Sequence, residues 1–598
     1  MKLLKSNFLL NSILVFFIYL TYIWIDSFYL ATRNEDFSKY YDYINYFLGL
    51  DVDIDYGQGA LYYFLISIFI KQKIEIVDFF NSDYIISSAV HKANLIFFVI
   101  SLIGFYKLLK LKKFEKLTIY LSLIILIFLP QSIYLRAVMK PEIVAFSFLP
   151  WIVFFIEKFL VSKNIKYLYS IIPFLSLSLI SKGSIAGMLL IYLLFAYGYN
   201  IKDIKFLKLI SLITTLSLVF CLLQYENYLL TGKYILERPY DLEYDFKADP
   251  NVIYNFSILE IFKEPFYDFN QNGSNIHSNS IPNILILDSF GDFFNQLFDS
   301  QTNYFSQYRK NIFDNNLEVF FTPDRVINYR GPFNNFLKYN LNYLRKILSI
   351  VLSILFYVLI LRESLRDKNL KKFYLAPFVG IFILYLNSLG IPFNNFNPIK
   401  GDTFKTFYFS FLFSLSFIFI VAKYLKNVSF LKIFFLFIYI ISIFFISGHP
   451  KQNNQLLSEH LLSINQHSLF CNINNKLIFE NNIINKVFPS GNVNNLKSDC
   501  KPVKNVSNFY KIDNEDRKRF DDENLSRCTD SNKKILNNQD IILSSNSEIC
   551  RIYTFEQLQS QQALFKYKNL IFTLILFIST LVLIVKELFL EINVFKKY

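Results

Sequence analysis

Charged residues are scarce in this chain. Only 18% of its 598 residues are Asp, Glu, Lys or Arg, whereas 53% are hydrophobic, and the mean hydropathy is +0.33. A soluble protein of this length needs more charge to cover its surface. The composition therefore excludes an ordinary soluble protein and indicates a protein that is largely embedded in a membrane.

Histidine, cysteine, glycine and proline are also sparse. None of the five His residues form a pair with metal-ligand spacing, and the five Cys residues contain no CxxC motif. Gly and Pro number 16 each and no internal repeat is evident, which is atypical of secondary transporters. Phe and Tyr are abundant, but this partly reflects a base-composition bias that also enriches Ile, Asn and Lys. Aromatic content alone therefore indicates little about function.

Apolar segments of about 20 residues, enough to cross a bilayer core, recur along the chain. They predict about twelve spans, near 8–28, 86–109, 116–134, 142–160, 166–181, 184–199, 204–224, 343–362, 373–390, 405–423, 429–447 and 568–588. The stretch 59–70 is too short to span and predicts a helix at the interface. The first span lacks a convincing cleavage site, so we expect it in the mature protein. The predicted fold is an all-α polytopic membrane protein.

The short basic turns set the expected orientation. They are "KLLKLKKFEK", "EKFLVSKNIK", "NIKDIKFLK", "RESLRDKNLKK" and "KYLKN", and with twelve spans they all fall on one side. The positive-inside rule makes that side, and both termini, cytoplasmic. The net charge of +14 then reflects membrane anchoring and calls for no nucleic-acid partner. We expect a bacterial inner (plasma) membrane protein whose outer loops 29–85 and 225–342 belong to a transmembrane domain, 1–447.

A separate exoplasmic domain is predicted at 448–567, followed by the last span and a cytoplasmic tail, 568–598. Four of the five cysteines, Cys471, Cys500, Cys528 and Cys550, lie in this domain. An oxidising compartment favours two disulfides, with three pairings open. A zinc site is the alternative, and the spacing does not favour it.

Several cations lie on what should be the outer side, at or inside the membrane boundary. They are Arg136 and Lys140 in "LRAVMKPE", Lys182 in "LISKGS", and Lys400 and Lys405 in "NPIKGDTFKTFYF". Each alone is explained by snorkelling to the interface. Together they favour an anionic ligand at that depth, for which a lipid-linked phosphate is suited. The acids expected to match them are Glu35, Asp36 and Glu142.

The segment after the first span carries both acids and an aromatic stripe. Phe37, Tyr40, Tyr41, Ile44, Phe47 and Leu48 follow helical spacing and predict an amphipathic helix lying aromatic face down on the outer surface. Asn34 can cap this helix, which places Glu35 and Asp36 in its first turn. Acids there also favour the helix dipole without any catalytic role. The Asp51, Asp53, Asp55 run resembles half of a calcium loop and lacks its remaining ligands.

These features together resemble the GT-C superfamily of membrane glycosyltransferases, which includes protein O-mannosyltransferases and the aminoarabinose transferase of lipid A. The resemblance rests on the order and sidedness of "NEDFSKYYDY", "YGQGALYYFLISIF", "LRAVMKPEIVAFSFLPWIVFF", "SKGSIAGMLLIYLLF" and "KGDTFKTFYFSFLFSL". It covers roughly the first 425 residues, and no single motif is specific. The domain 448–567 matches no family pattern.

The resemblance implies an inverting transfer of a sugar from a polyprenyl-phosphate-linked donor to a glycan, lipid or protein acceptor on the exoplasmic side. It assigns the catalytic base to Asp36, with Glu35 as the alternate, because a carboxylate can take the acceptor's proton. Fixed cations would stabilise the leaving phosphate, and the candidates are Arg136, Lys140, Lys182 and Lys405. Tyr40 and Tyr408 are expected to contact phosphate or sugar, and Glu142 to bind an acceptor or orient Lys140. No cofactor is assigned, and a divalent cation stays open.

Two other functions fit the same composition. A polysaccharide polymerase or ligase also has about a dozen spans and a large outer loop, but it would rely on Arg-rich outer loops. A lipid-sugar transporter or flippase would show repeats and broken spans. Release of polyprenyl phosphate from a lipid-sugar donor separates the enzyme from the transporter.

The cysteine pattern generates a first prediction. We expect Cys471, Cys500, Cys528 and Cys550 to pair among themselves, because their segment is predicted to face an oxidising compartment and is too polar to build a large core. Mass mapping of the mature protein without reduction tests this. Four free thiols, or bound zinc, would contradict it.

Overall fold

The structure is a computed structural model. It describes residues 7–28, 31, 40, 43–44, 46–47, 54, 58–71, 82–232, 234, 281–291, 331–388, 406–426, 469–473, 476–480, 540–545, 549–554 and 570–595. The helices are α1 Asn7–Phe28, α2 Leu61–Lys71, α3 Ser82–Leu111, α4 Lys116–Ile127, α5 Pro130–Ala137, α6 Glu142–Ser162, α7 Lys166–Tyr169, α8 Ile171–Ser181, α9 Gly183–Tyr197, α10 Phe206–Thr231, α11 Ile281–Asp288, α12 Gly331–Arg366, α13 Lys371–Tyr374, α14 Ala376–Ser388, α15 Ser410–Tyr424 and α16 Ile571–Phe595. Short 3₁₀ turns occupy Gly198–Asp203 and Thr406–Phe409.

Eight helices within the described ranges are long and apolar enough to cross a membrane: Leu9–Asp26, Ile86–Leu111, Glu142–Ser162, Gly183–Asn200, Phe206–Thr231, Ile347–Arg366, Thr406–Tyr424 and Ile571–Phe589. Each coincides with a predicted span. A ninth, 116–134, is a bent pair of helices, and 166–181 and 373–390 correspond to shorter apolar helices. The predicted span 429–447 lies outside the described residues. The chain is therefore a multi-pass helical protein, and the count of twelve stays a prediction.

The bend in the ninth span has a local cause. Helix α4 ends at Ile127, and α5 starts at Pro130, at an angle of 57° to it. Proline lacks the N–H that would continue the α4 hydrogen-bond ladder, but it suits the first position of a new helix. The short α5 consequently ends inside the bundle, where Arg136, Ala137 and Val138 lead into α6.

Helices α3 and α6 form the centre of the bundle. Trp151 is fully buried, and its indole N–H donates to the carbonyl of Ile100 at 2.9 Å. A Cβ added at Gly104 would lie 2.9 Å from the Trp151 ring and 3.0 Å from Pro150. Gly104 therefore allows the two helices to approach closely enough for this ring to pack between them.

The long helices run in both directions along the bundle, so the bundle has two ends. At the Lys140 end, α1 stops, α3 starts, α5 meets α6, α8 meets α9, and the turn Thr406–Phe409 begins α15. Backbone contacts join these parts: Met139 N–H donates to Ala31 O at 3.3 Å, and Gly59 N–H donates to Ser181 O at 3.4 Å. The Glu157 end carries the turns 112–115, 163–165, 367–370 and 425–426, so the predicted basic turns do lie together.

Two further contacts show at which end of the bundle α15 stops and α16 starts. Near the end of α10, the Glu226 carboxylate accepts hydrogen bonds from Phe572 N–H and Thr573 N–H at the start of α16. Leu570 therefore lies at the Lys140 end. Leu425 lies at the opposite end, where its carbonyl accepts from Thr118. Leu425 and Leu570 therefore lie at opposite ends of the bundle. The predicted span 429–447 requires this, because one crossing between them changes the end.

Buried ion pairs hold the Glu157 end together. Glu157 accepts from Lys112 at 2.5 Å, from Lys372 at 2.6 Å and from the Tyr197 hydroxyl at 3.0 Å. Burial lowers the pKa of Lys372 below its usual value, and the Glu157 carboxylate opposes that shift. Because one carboxylate serves two lysines from different turns, it ties α3, α6, α9 and α13 at one point.

Four short strands belong to the predicted exoplasmic domain. Leu469–Ile473 pairs antiparallel with Lys476–Glu480, and Asp540–Ser545 pairs antiparallel with Ile549–Thr554. The fold is therefore predominantly helical and not purely α. Cys471 and Cys550 lie in different hairpins, opposite Ile478 and Ser544. Cys500 and Cys528 lie outside the described residues, so the disulfides stay a prediction.

The Glu157 network predicts a stability effect. Glu157→Gln removes the charge shared by two lysines whose side chains are each 20% exposed. We expect the free energy of unfolding to fall by more than the ~1 kcal/mol typical of an exposed ion pair and by less than the ~3–5 kcal/mol typical of a buried one. Thermal unfolding in detergent measures it. The exposed Glu115→Gln, at the same end, is the control, and equal midpoints for both variants would contradict the assignment.

Candidate functional site

The aromatic stripe after α1 packs against α2. Tyr40, Tyr43, Ile44 and Phe47 are all buried to 1% exposure or less. The rings of Tyr40 and Tyr43 stack on Tyr63, with centroids 5.5 and 4.5 Å apart. The predicted apolar face therefore exists at these positions, but it is covered by protein and does not lie on the membrane surface. Phe37, Tyr41 and Leu48 lie outside the described residues.

The loop between α5 and α6 is fixed by side chains of other helices. Asn94 of α3 donates from one amide nitrogen to the carbonyls of Arg136 and Val138, each at 3.0 Å. The Tyr62 hydroxyl donates to Asn94 Oδ1 at 2.8 Å and accepts from Lys140 N–H at 3.2 Å. Burial raises the pKa of Tyr62 well above its usual value, so it stays a neutral donor. The backbone at Lys140 is thus held from two sides.

The Lys140 side chain is buried among aromatic rings. It is 3% exposed, and its Nζ lies 5.6 Å from the Tyr40 ring centre and 5.3 Å from that of Phe407. Aromatic faces attract a cation at these distances. The structure therefore brings together two predicted site residues, Lys140 and Tyr40, from segments 100 positions apart in the sequence.

Glu142 contacts Lys182. Its Oε1 lies 2.7 Å from Lys182 Nζ, and that ammonium lies 4.9 Å from the Tyr408 ring centre. Lys182 is the extended residue between α8 and α9, a break that points its side chain across the end of the bundle to α6. The family resemblance implied that Glu142 binds an acceptor or orients Lys140. The structure instead pairs it with Lys182, and three predicted residues, Glu142, Lys182 and Tyr408, meet here.

Arg136 does not join this group. Its guanidinium donates to the carbonyls of Ser132 and Ile127 and to Thr21 Oγ1, and it lies 4.3 Å from the Phe98 ring centre. These partners belong to α1, α3, α4 and α5, below the loop that carries Lys140. The structure therefore gives Arg136 a role in holding the bent pair α4–α5, and its predicted contact with phosphate stays untested.

A second acid reaches the Lys140 end from the long segment 225–342. Helix α11 carries Asp288, whose Oδ2 accepts from Thr406 N–H at 2.6 Å and whose carbonyl accepts from Gln131 Nε2 at 2.6 Å. Phe290 packs against Phe356, with ring centres 5.4 Å apart. Asp288 thereby fixes the turn that presents Phe407 and Tyr408 to the two lysines.

Three buried polar atoms at this end have no hydrogen-bond partner among the described residues: Glu142 Oε2, Gln131 Oε1 and Thr406 Oγ1. Burying such a group without a partner costs about 1–3 kcal/mol. Native structures keep few of them, and each calls for an explanation. Hydroxyl groups of a polar ligand are one kind of partner that such atoms accept from or donate to.

Three of the predicted site residues, Glu35, Asp36 and Lys405, lie outside the described residues, as does Lys400. No cluster of three or more His, Cys, Asp or Glu side chains that could hold a metal occurs in the part of the chain that the structure describes. The arrangement can therefore offer an anionic, hydroxyl-bearing ligand two cations, aromatic faces and a carboxylate.

Comparison with protein-family models, with curated proteins and with solved structures found no match. Function must accordingly be argued from the site itself.

Sequence patterns missed Asp26, His91, Asn94, Gln131 and Asp288. Asp26 lies near the end of the first apolar run, and His91 and Asn94 lie near the start of the second, in a stretch that also holds Ser88 and Lys92. Hydropathy averaged over a whole run hides them. The signal was nevertheless present, because an ionisable residue within a span is costly and marks a functional or structural site. Asp288 and Gln131 carried no local signal, since their role depends on segments distant in the sequence.

The Glu142–Lys182 pair predicts energetic coupling. Glu142→Gln and Lys182→Met each leave one charge without its partner at a largely buried position, so each should lower the unfolding midpoint. The loss of unfolding free energy in the double variant should be about 0.5–3 kcal/mol smaller than the sum of the two single losses. Thermal unfolding in detergent gives the four values. Glu115→Gln with Lys163→Met, both exposed, forms a control cycle that should be additive, and additivity in the Glu142 cycle would contradict the pair.

Proposed function

We propose that the protein is a membrane glycosyltransferase of GT-C type, which transfers a sugar from a polyprenyl-phosphate-linked donor to an acceptor at the Lys140 end. The observation that carries the proposal is the meeting of Lys140, Lys182 and Glu142 with the aromatic rings of Tyr40, Phe407 and Tyr408 at one end of an apolar bundle. Such a group suits a ligand that combines a phosphate, a sugar and a lipid chain.

The attachment of the acid-bearing segment supports this reading. Ala31 is held by Ser87 Oγ at 2.9 Å and by Met139 N–H, and Tyr40 lies beside Lys140. Asp36 is five residues after Ala31 and four before Tyr40. A chain spans at most about 3.6 Å per residue, so the Asp36 Cα stays within about 14 Å of the Tyr40 Cα. A base at Asp36 is therefore compatible in distance with cations at Lys140 and Lys182.

The reaction follows from these groups. Asp36 takes the proton of the acceptor hydroxyl as that oxygen attacks the anomeric carbon, and polyprenyl phosphate leaves from the opposite face, with inversion. The leaving phosphate gains negative charge, which Lys140 and Lys182, with Lys405 next to the Thr406 turn, stabilise in a site poor in water. Glu142 Oε2, Gln131 Oε1 and Thr406 Oγ1 accept or share hydroxyl groups of the sugar or acceptor.

The membrane orientation belongs to the same proposal. The Glu157 end carries the basic turns, which the positive-inside rule assigns to the cytoplasm. The Lys140 end then faces the exterior, with twelve spans in total and 448–567 on that side. A lipid-linked donor reaches such a site from within the outer leaflet, between helices whose outward faces are apolar.

Asp36→Asn tests the proposal directly. It keeps the shape of the side chain and a capable helix start, but it removes the base. Transfer of labelled sugar from a polyprenyl-phosphate donor in membranes should fall by about 10²–10⁴-fold at normal protein level. Lys140→Ala and Lys405→Ala should weaken donor use as well as turnover, because they meet the phosphate in both ground and transition states.

Asp42→Asn is the matched control, since it removes an acid from the same segment and should leave transfer near normal. Near-normal transfer by Asp36→Asn would move the assignment to Glu35, and activity in Glu35→Gln as well would contradict a carboxylate base on this segment. Lipid-sugar that crosses the membrane without release of polyprenyl phosphate would establish the transporter instead.

A further inference from the structure

Asp26 and His91 form an ion-pair contact next to the Lys140 loop. His91, on α3, has a fully buried side chain, whereas Asp26, near the end of α1, is 18% exposed. His91 Nδ1 lies 2.9 Å from Asp26 Oδ1, and His91 Nε2 lies 3.0 Å from the carbonyl oxygen of Ala137. Both ring nitrogens therefore face oxygen atoms.

The two oxygens determine where the protons are. A carbonyl oxygen only accepts hydrogen bonds, so Nε2 carries a hydrogen. An ionised carboxylate also only accepts. Asp26 is partly exposed, and its other oxygen lies 3.5 Å from the Ser88 hydroxyl, which donates to it. Nδ1 must then donate as well, whereas a neutral imidazole could satisfy only one of its two neighbours.

We propose that Asp26 and His91 bind one proton inside the bundle, as an imidazolium paired with a carboxylate, and that this pair positions the loop from Arg136 to Lys140. The pair is neutral overall, which suits its apolar surroundings. On α5, the Arg136 guanidinium turns away toward Thr21 and Ile127, and Lys92 follows His91 on α3.

The position of the imidazolium has a second physical reason. The carbonyls at the end of α5 lack partners within that helix and carry the negative end of its dipole. Asn94 supplies donors to Arg136 O and Val138 O, and His91 supplies the donor to Ala137 O between them. A cation at this point is favoured by the dipole, so protonated His91 completes the cap of α5.

The contact between His91 and Ala137 also affects the position of Lys140. Lys140 is three residues after Ala137, and its own N–H is held by Tyr62. Loss of the Ala137 contact would release one of the anchors that keep Lys140 beside Tyr40 and Phe407. Only this consequence depends on the proposed function, because the proton itself can be detected without any transfer assay.

Nitrogen NMR of the full-length protein, labelled with ¹⁵N-histidine and purified in detergent, tests the charge state. His91→Gln identifies the His91 signals among those of the five histidines. We expect both His91 ring nitrogens to be protonated near pH 7. In Asp26→Asn, the introduced amide can donate to Nδ1, so only Nε2 should carry a proton. One unprotonated ring nitrogen in the wild-type protein would overturn the proposal.

Stability tests the positioning role. Asp26→Asn keeps both His91 hydrogen bonds and should unfold close to the wild-type midpoint. Asp26→Ala leaves Nδ1 without its partner and should lower the midpoint by about 1 °C or more. Ser88→Ala, which removes only the long contact to Asp26, is the control. Equal midpoints for the Asn and Ala variants would show that the pair does not hold the loop, whether or not sugar transfer is observed.

Discussion

The carbonyl groups of Arg136, Ala137 and Val138 end a short helix inside an apolar bundle, and the rest of the Lys140 end depends on how they are satisfied. Each would cost about 1–3 kcal/mol if left without a donor. Helix α3 supplies the donors from Asn94 and His91, which are nearly one turn apart. Because these contacts fix the backbone that follows, the Lys140 side chain enters the space between the Tyr40 and Phe407 rings.

The two ends of the bundle use charge differently. At the Glu157 end, the carboxylates of Glu157, Glu363 and Glu587 each accept from a lysine at 2.5–2.6 Å, which locks neighbouring helices together. At the Lys140 end, Glu142 uses one oxygen for Lys182 and leaves the other buried without a described partner. Each carboxylate in the first arrangement is paired with a lysine, whereas Glu142 in the second keeps one oxygen for which the described residues supply no donor.

Hydropathy predicted the spans well where length and composition alone decide the outcome. It failed to predict the bend at Pro130. The apolar pattern continues through this position, whereas the helix cannot continue there because proline lacks the N–H it needs. For the site, the sidedness of the basic turns was enough to group Lys140, Lys182 and Glu142 at one end. It could not predict that Glu142 contacts Lys182, or that Arg136 turns into the core, since the choice of partner depends on how α6, α8 and α9 pack.

The residues that build the scaffold were harder to foresee than those that line the site. His91 and Asn94 lie close to Ser88 and Lys92 near the start of α3, and this pattern does not show which of them reaches α5. Asp288 gains a role only because α11 packs beside Gln131 and Thr406. Their positions in the chain carry no information about the partners they serve. Averaged hydropathy therefore predicts which segments are helices in a membrane, but not which single polar residues hold those helices in register.

The same scaffold holds both proposed reaction partners. Ala31 is bonded to Ser87 of α3 and to Met139 of the Lys140 loop, and Gly59 is bonded to Ser181, next to Lys182. Ala31 and Gly59 are therefore attached to the elements that carry the cations. Much of the advantage of an enzyme comes from holding reacting groups together before the reaction, so that little freedom remains to be lost. Under the proposed function, that advantage would come from the hydrogen bonds that hold Ala31 and Gly59 to the neighbouring elements, and the charged side chains would supply the chemistry.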